Sequence, residues 1–196
     1  MSYKFEPTWN KGQSFFKNAA PKKLQNWLID RNSLTRLLTC ACLKQQEKFR
    51  VDVFHEAWEK PLLSESKLLG MRSNELAFVR QVHLYCGDTP WVYARTIIPG
   101  STLHGELQKL TNLGSQPLGA VLFANKHISR DTIQIAKLTR THTIFSTAIM
   151  HNSLVVTSAP TSAVKNVWGR RSVFRVTGKP LLVSEFFLPD LPDYRA

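Results

Sequence analysis

The chain has 196 residues, with 26 Lys+Arg against 14 Asp+Glu and a formal net charge of +12 at pH 7. This length favours one domain, or at most two small ones, with room for a substantial core. A hydrophobic content of 43 % with 10 % aromatics excludes global disorder. No apolar run is long enough to cross a bilayer. Met1 to Pro21 mixes Lys4, Glu6 and Lys11 among its apolar residues and does not read as a secretory signal. The three cysteines, Cys40, Cys42 and Cys86, form neither a CxxC pair nor a zinc pattern, so they read as packing residues in a reducing, cytoplasmic setting. No acidic residue lies between Asp131 and Glu185, but the basic residues there are scattered and no nucleic-acid-binding motif accompanies them. They read as a solvated basic face, and no specific nucleic-acid partner is expected.

Residues 1–20 are polar and are expected to be loosely ordered, ahead of a single domain over 21–196. Pro21 opens a segment in which Leu24, Trp27 and Leu28 recur at helical spacing. Ser33 is placed to cap a second short helix carrying Leu34, Leu37 and Leu38. Phe49, Val51 and Val53 then alternate with Arg50 and Asp52 as in a strand. Glu75 to Tyr85 and Trp91 to Ile98 read as an antiparallel hairpin around the turn formers Cys86 to Pro90. A helix is expected from Ser101 or Thr102 through Leu103, Leu107 and Leu110, ending at Gly114, with another helical turn after Pro117. Strands follow at Ile128 to Leu138, Val173 to Gly178 and Leu181 to Leu188, the last two joined at Gly178-Lys179-Pro180. The Thr- and Ser-rich stretch 139–166 reads either as a β-hairpin, with Thr143 to Met150 and Leu154 to Thr157 about His151-Asn152-Ser153, or as a mobile loop. The sum is an α+β fold, a mostly antiparallel sheet with helices on one side.

Successive strand residues face opposite sides of a sheet, so charged residues that share a face with apolar ones stand out. Arg80 shares a face with Leu76, Phe78, Val82 and Leu84. A buried guanidinium stays charged and needs a carboxylate or several acceptors. Glu185 shares a face with Leu181, Val183 and Phe187. Arg80 and Glu185 either pair with each other, as a structural ion pair, or stand apart across a polar cavity for a ligand with a carboxylate at one end and a hydroxyl at the other. Arg95, beside Trp91, Tyr93 and Ile97, is a third candidate. No GxSxG elbow, Gly-rich phosphate loop or histidine pattern for metal is present, so no metal and no cofactor is expected.

Ordered blocks along the chain carry a resemblance. They include Leu24-Gln25-Asn26-Trp27-Leu28, Asn32-Ser33-Leu34-Thr35, Val79-Arg80 and Trp91-Val92-Tyr93-Ala94-Arg95-Thr96. Further along come Pro117-Leu118-Gly119, Ser129-Arg130-Asp131, Trp168-Gly169-Arg170-Arg171-Ser172 and Gly178-Lys179-Pro180 through Glu185-Phe186-Phe187-Leu188-Pro189. In this order they resemble the chorismate lyase family, over most of the chain from about Leu24 to Pro189. The resemblance implies an antiparallel sheet with helical flaps over an internal ligand site. It also implies elimination of pyruvate from chorismate to give 4-hydroxybenzoate, the first step of ubiquinone biosynthesis, without metal or organic cofactor. Arg80 matches the arginine that holds the ring carboxylate and Glu185 the glutamate at the hydroxyl end. Leu34, where the family pattern has methionine, and Leu118 match flap positions whose backbone contacts the ligand carboxylate. Most of 139–166 looks like an insertion relative to the family. The basic surface suits steering of a dianionic substrate or peripheral contact with an anionic membrane, and a monomer is expected. The competing expectation is a non-catalytic sensor for small aromatic carboxylates, because a related fold occurs in effector-binding domains of bacterial regulators. Those usually carry a helix-turn-helix domain, of which this sequence shows no sign.

Overall fold

A computed structural model describes residues 5–11, 19–124, 127–150 and 164–194. The strands are β1 (Asn10–Lys11), β2 (Phe49–Glu59), β3 (Ala77–Cys86), β4 (Thr89–Pro99), β5 (Ile128–Arg130), β6 (Gln134–Thr139), β7 (Asn166–Val176) and β8 (Lys179–Phe187). They form one sheet in the order β1-β6-β7-β8-β4-β3-β2, with β5 also beside β7, and the pairs are antiparallel. Five helices accompany them among the described residues: α1 (Lys22–Ile29), α2 (Leu34–Lys44), α3 (Leu63–Leu69), α4 (Leu118–Ala124) and α5 (Thr143–Met150). The Ser33 side chain accepts a hydrogen bond from the Arg36 amide and caps α2 as its position in the sequence suggests.

One face of the sheet packs Leu84, Val92 and Phe187 against Leu24, Trp27 and Leu28 of α1 and Leu38 of α2. Further along the same face Phe78, Ile98 and Val183 meet Leu110, Leu118 and Leu122. The expected fold class holds, but the coverage is wider than one side. Tyr93 and Phe186 on the opposite face pack against Ile144, Phe145 and Ala148 of α5, and Val79, Ile97 and Leu182 against Leu68 and Leu69 of α3. Every position of β3 is buried. Leaving the second face bare would cost about 1.5–3 kcal/mol for each large apolar side chain on it, so both faces are covered.

Four local expectations change. Thr143–Met150 is a helix rather than a strand, because Ile144, Phe145 and Ala148 fall on one helical face toward the sheet; Leu154 to Thr157 lies outside the described residues. Two 3₁₀ segments, Gly100–Thr102 and Gly105–Thr111, replace the single helix expected after Pro99. The long strand Ile128 to Leu138 splits into β5 and β6, which pair with different stretches of β7. The β7–β8 turn is formed by Thr177 and Gly178, both at positive φ (49° and 81°), as a two-residue hairpin requires.

The cysteine reading is also corrected. Cys42 of α2 and Cys86 of β3 form a disulfide across 44 residues of sequence, while Cys40 is exposed and free. Pairing at that separation follows from the packing of α2 on the sheet and has no signature in the spacing. The cysteines therefore give no argument for a reducing compartment. No helix among the described residues is long and apolar enough to cross a membrane. Within the segment expected to be loose, residues 5–11 are held against the fold. Glu6 accepts hydrogen bonds from the amides of Leu63 and Ser64 at the start of α3 (2.9 and 3.0 Å), the Trp9 ring lies tilted against Phe186, and β1 pairs with β6.

Candidate functional site

Helices α2 and α4 close over the sheet where Arg80 of β3 and Glu185 of β8 project from the same face. Gly119 brings the two helices together: a Cβ there would sit 2.9 Å from the Thr35 hydroxyl. Between helices and sheet lies a cavity of about 50 Å³, partly open to solvent. Its lid is formed by Leu34, Thr35, Leu118 and Leu122, and Arg80, Thr96, Val183 and Glu185 stand on its floor. Leu34 and Leu118 are the first residues of α2 and α4. Their amides therefore lack a helical acceptor.

Arg80 and Glu185 do not pair with each other. Arg80 is 2 % exposed; its Nε donates to Glu56 Oε1 at 2.8 Å and its Nη2 to the carbonyls of Gly114 (2.7 Å) and Gln116 (3.3 Å). Its Nη1 makes no hydrogen bond among the described residues. Burial pushes the Arg80 guanidinium below its ordinary value while the hydrogen bond and charge of Glu56 pull it back, and it remains a cation. Glu185 Oε2 accepts from Arg170 Nε at 2.6 Å. The Arg170 Nη1 in turn donates to the backbone carbonyls of Trp27 (2.7 Å) and Asp30 (2.6 Å), which ties the end of α1 to the sheet. β4 runs between β3 and β8, and the register places Arg80 opposite Thr96 and Glu185 opposite Ala94. The two charged groups are therefore separated by two strand spacings, about 10 Å, plus a two-residue offset.

A third charged group lines the cavity. Arg130, at the end of β5, donates through Nε to the Ser172 hydroxyl (3.1 Å) and through Nη1 to the carbonyls of Arg31 (3.2 Å) and Asp30 (3.5 Å). Its guanidinium lies over the Phe174 ring, 4.9 Å from the centroid. Burial pushes it down to about 10, against the opposing pull of Glu185, and it is still fully charged at neutral pH.

Arg95 belongs elsewhere. It points to the opposite face and is held bidentately by Glu65 (3.0 and 3.2 Å), with Glu59 at 3.4 Å. That is a structural ion pair away from the cavity. Glu56, Arg130 and Arg170 were not singled out from the sequence as charged residues of the site. Glu56 was hidden by a β-bulge between Val53 and His55, which inserts one residue and reverses the parity of β2. Among the described residues no cluster of His, Cys, Asp or Glu could hold a metal ion.

Residues 6–194 match the family model described as chorismate lyase. The chain is 36 % identical over 169 residues, 86 % of its length and 88 % of the relative's, to a protein named "Probable chorismate pyruvate-lyase" in Nitrosospira multiformis. It is 35 % identical over 173 residues to the chorismate pyruvate-lyase of Erwinia tasmaniensis, covering 87 % and 81 % of the two chains. Among solved structures, the C-terminal domain of the histidine utilization repressor of Pseudomonas syringae is similar with a TM-score of 0.54 at 8 % identity, covering 76 % of this chain and 97 % of that one. The ligand-binding domain of a GntR-family regulator from Bordetella bronchiseptica gives 0.52 at 14 % identity, covering 76 % and 89 %. These two likenesses concern the fold alone. The match along nearly the whole sequence, to the family model and to relatives above 30 % identity, goes further: the chain belongs to the chorismate lyase family.

Proposed function

We propose that the chain is a chorismate pyruvate-lyase, releasing pyruvate and 4-hydroxybenzoate and so supplying the first aromatic intermediate of ubiquinone biosynthesis. The observation that carries this reading is the separation of Arg80 and Glu185 across one cavity beneath α2 and α4, each held by its own partner. A ring with a carboxylate at one end and a hydroxyl at the other spans them.

In this reading Arg80 offers Nη1 to the ring carboxylate, and the amides of Leu34 and Leu118 complete its contacts from the flaps. Glu185 has one oxygen occupied by Arg170. Its other oxygen accepts the C4 hydroxyl and fixes the ring face. The C3–O bond breaks, its electrons leaving with the enolpyruvyl oxygen, while the C4 hydrogen passes as a proton to the enolpyruvyl methylene. Pyruvate forms directly and the ring becomes aromatic. Aromatisation supplies the driving force, and the protein supplies orientation and a dry cavity, worth at most ~7–11 kcal/mol of the barrier.

The test is to incubate the purified chain with chorismate in chelator and to follow both products by chromatography. Equimolar pyruvate and 4-hydroxybenzoate above the spontaneous rate are expected. Binding of 4-hydroxybenzoate with no turnover would replace the enzyme by a sensor.

A further inference from the structure

Arg130 is the charged group of the cavity that lacks an acidic partner. Arg80 has Glu56 and Glu185 has Arg170, at 2.8 and 2.6 Å. No carboxylate lies within 4 Å of the Arg130 guanidinium among the described residues, and the remaining stretches contain no Asp or Glu. Its partners are a hydroxyl and two backbone carbonyls, and Nη2 makes no hydrogen bond among the described residues. On its other side Arg130 borders a second cavity with Lys11, Arg31 and Arg171, which adds positive charge. The lone acidic residue there, Asp131, faces Arg175 at 3.6 Å. A half-buried cation with no carboxylate in contact, the charges of Glu185 and Asp30 acting on it only from a distance, leaves its free N–H groups suited to receive an anion.

The place of Arg130 identifies which anion. The Asp30 carbonyl that accepts from Arg170 Nη1 at 2.6 Å also accepts from Arg130 Nη1 at 3.5 Å, so Arg130 stands beside the arginine that holds Glu185. Arg130 is thus at the hydroxyl end of the cavity. In chorismate the enolpyruvyl ether sits on C3, next to the C4 hydroxyl, and carries the second carboxylate. We propose that Arg130 binds the enolpyruvyl carboxylate, the anion that the substrate carries and the aromatic product lacks. The assignment rests on the lyase reading and deepens it: Arg80 and the flaps hold what stays, and Arg130 holds what leaves. Its planar fork matches a carboxylate in a way that a point charge does not.

The assignment separates substrate from product, and this makes it testable. Arg130→Gln is expected to lower kcat/KM for chorismate by about tenfold to a hundredfold, through the loss of charge-assisted hydrogen bonds. Its Kd for 4-hydroxybenzoate should stay within about twofold of wild type, because that ligand has no second carboxylate. Arg130→Lys keeps the charge and should recover part of the loss. If the Gln variant does not fold, the same comparison of substrate with product is made on the Lys variant, which should still weaken chorismate selectively. A kcat/KM unchanged by Arg130→Gln would overturn the assignment, as would an equal loss for chorismate and 4-hydroxybenzoate, which marks a structural role. Absence of turnover in the wild-type chain would instead strike the lyase reading, and this assignment with it.

Discussion

Arg80 and Glu185 line one cavity without touching: Arg80 is bonded to Glu56 at 2.8 Å and Glu185 to Arg170 at 2.6 Å. Each ion pair neutralises a buried charge while leaving polar atoms of the inner partner for a ligand. This differs from a single Arg80–Glu185 bridge, which would have closed the space. Replacing Arg80 by Ala should therefore weaken 4-hydroxybenzoate binding and lower kcat/KM by at least tenfold, the equivalent of about 1.5–3 kcal/mol for charge-assisted hydrogen bonds. Glu185→Gln keeps an acceptor for the hydroxyl but strips Arg170, 1 % exposed, of its counter-charge. That variant should lose roughly 3 kcal/mol of stability, read from the urea midpoint, in addition to turnover.

Helices α2 and α4 meet closely at Gly119. A methyl group at position 119 would meet Thr35 Oγ1 at 2.9 Å and Ser33 Oγ at 3.4 Å, so Gly119→Ala should push the flaps apart. Faster dissociation of 4-hydroxybenzoate, by about threefold to tenfold, is the expected result in stopped flow. Adding Thr35→Ala should restore slow release by removing the nearest obstacle. Identical release rates in wild type and Gly119→Ala would show that these helices do not gate the cavity.

The Cys42–Cys86 bond pins the far end of α2 to the sheet, over a separation of 44 residues. Chain-entropy arguments for a loop of that size give a ceiling of about 4 kcal/mol. Reduction should lower the stability toward that limit and leave unfolded protein with three titratable thiols in place of one. Three thiols before reduction would show that the bond does not form in the purified chain.

Asp30 organises the link between α1 and α2. Burial works to raise its pKa, but the hydrogen bonds from the Tyr194 hydroxyl (2.6 Å) and the Asn32 amide (2.6 Å), with the charge of Arg170, outweigh it and hold the carboxyl below its ordinary 3.8. The unfolded chain takes up this proton first. The stability due to Asp30 is therefore complete above about pH 4 to 5 and is lost as pH falls through the depressed folded value. Asp30→Asn should flatten the acid limb of stability against pH, with little change in slope near neutrality. An unaltered acid limb would contradict this.

The readable part of the site was the part that obeys strict alternation. Arg80 and Glu185 lie on β3 and β8, where the pleat runs unbroken through the cavity floor, so their company on one face could be read from neighbours two residues away. Glu56 could not be found in this way, because the bulge after Val53 moves it to the face that simple alternation gives to His55. Arg130 belongs to a three-residue strand, too short for a period to show, and its meaning comes from contacts with Ser172 and the carbonyls of residues 30 and 31. The helix Thr143–Met150 was missed for another reason. Its Thr and Ile residues favour strands, and burial against β6 and β8 overrides that preference.

If this cavity converts chorismate and keeps the aromatic product behind α2 and α4, the two products separate within a single turnover. The most direct measurement is a single-turnover experiment with enzyme in modest excess over chorismate, separating bound from free products by rapid filtration. Pyruvate is expected in the filtrate at one equivalent per chorismate while 4-hydroxybenzoate stays with the protein. Recovery of intact chorismate, with neither product above the uncatalysed rate, would contradict the lyase reading.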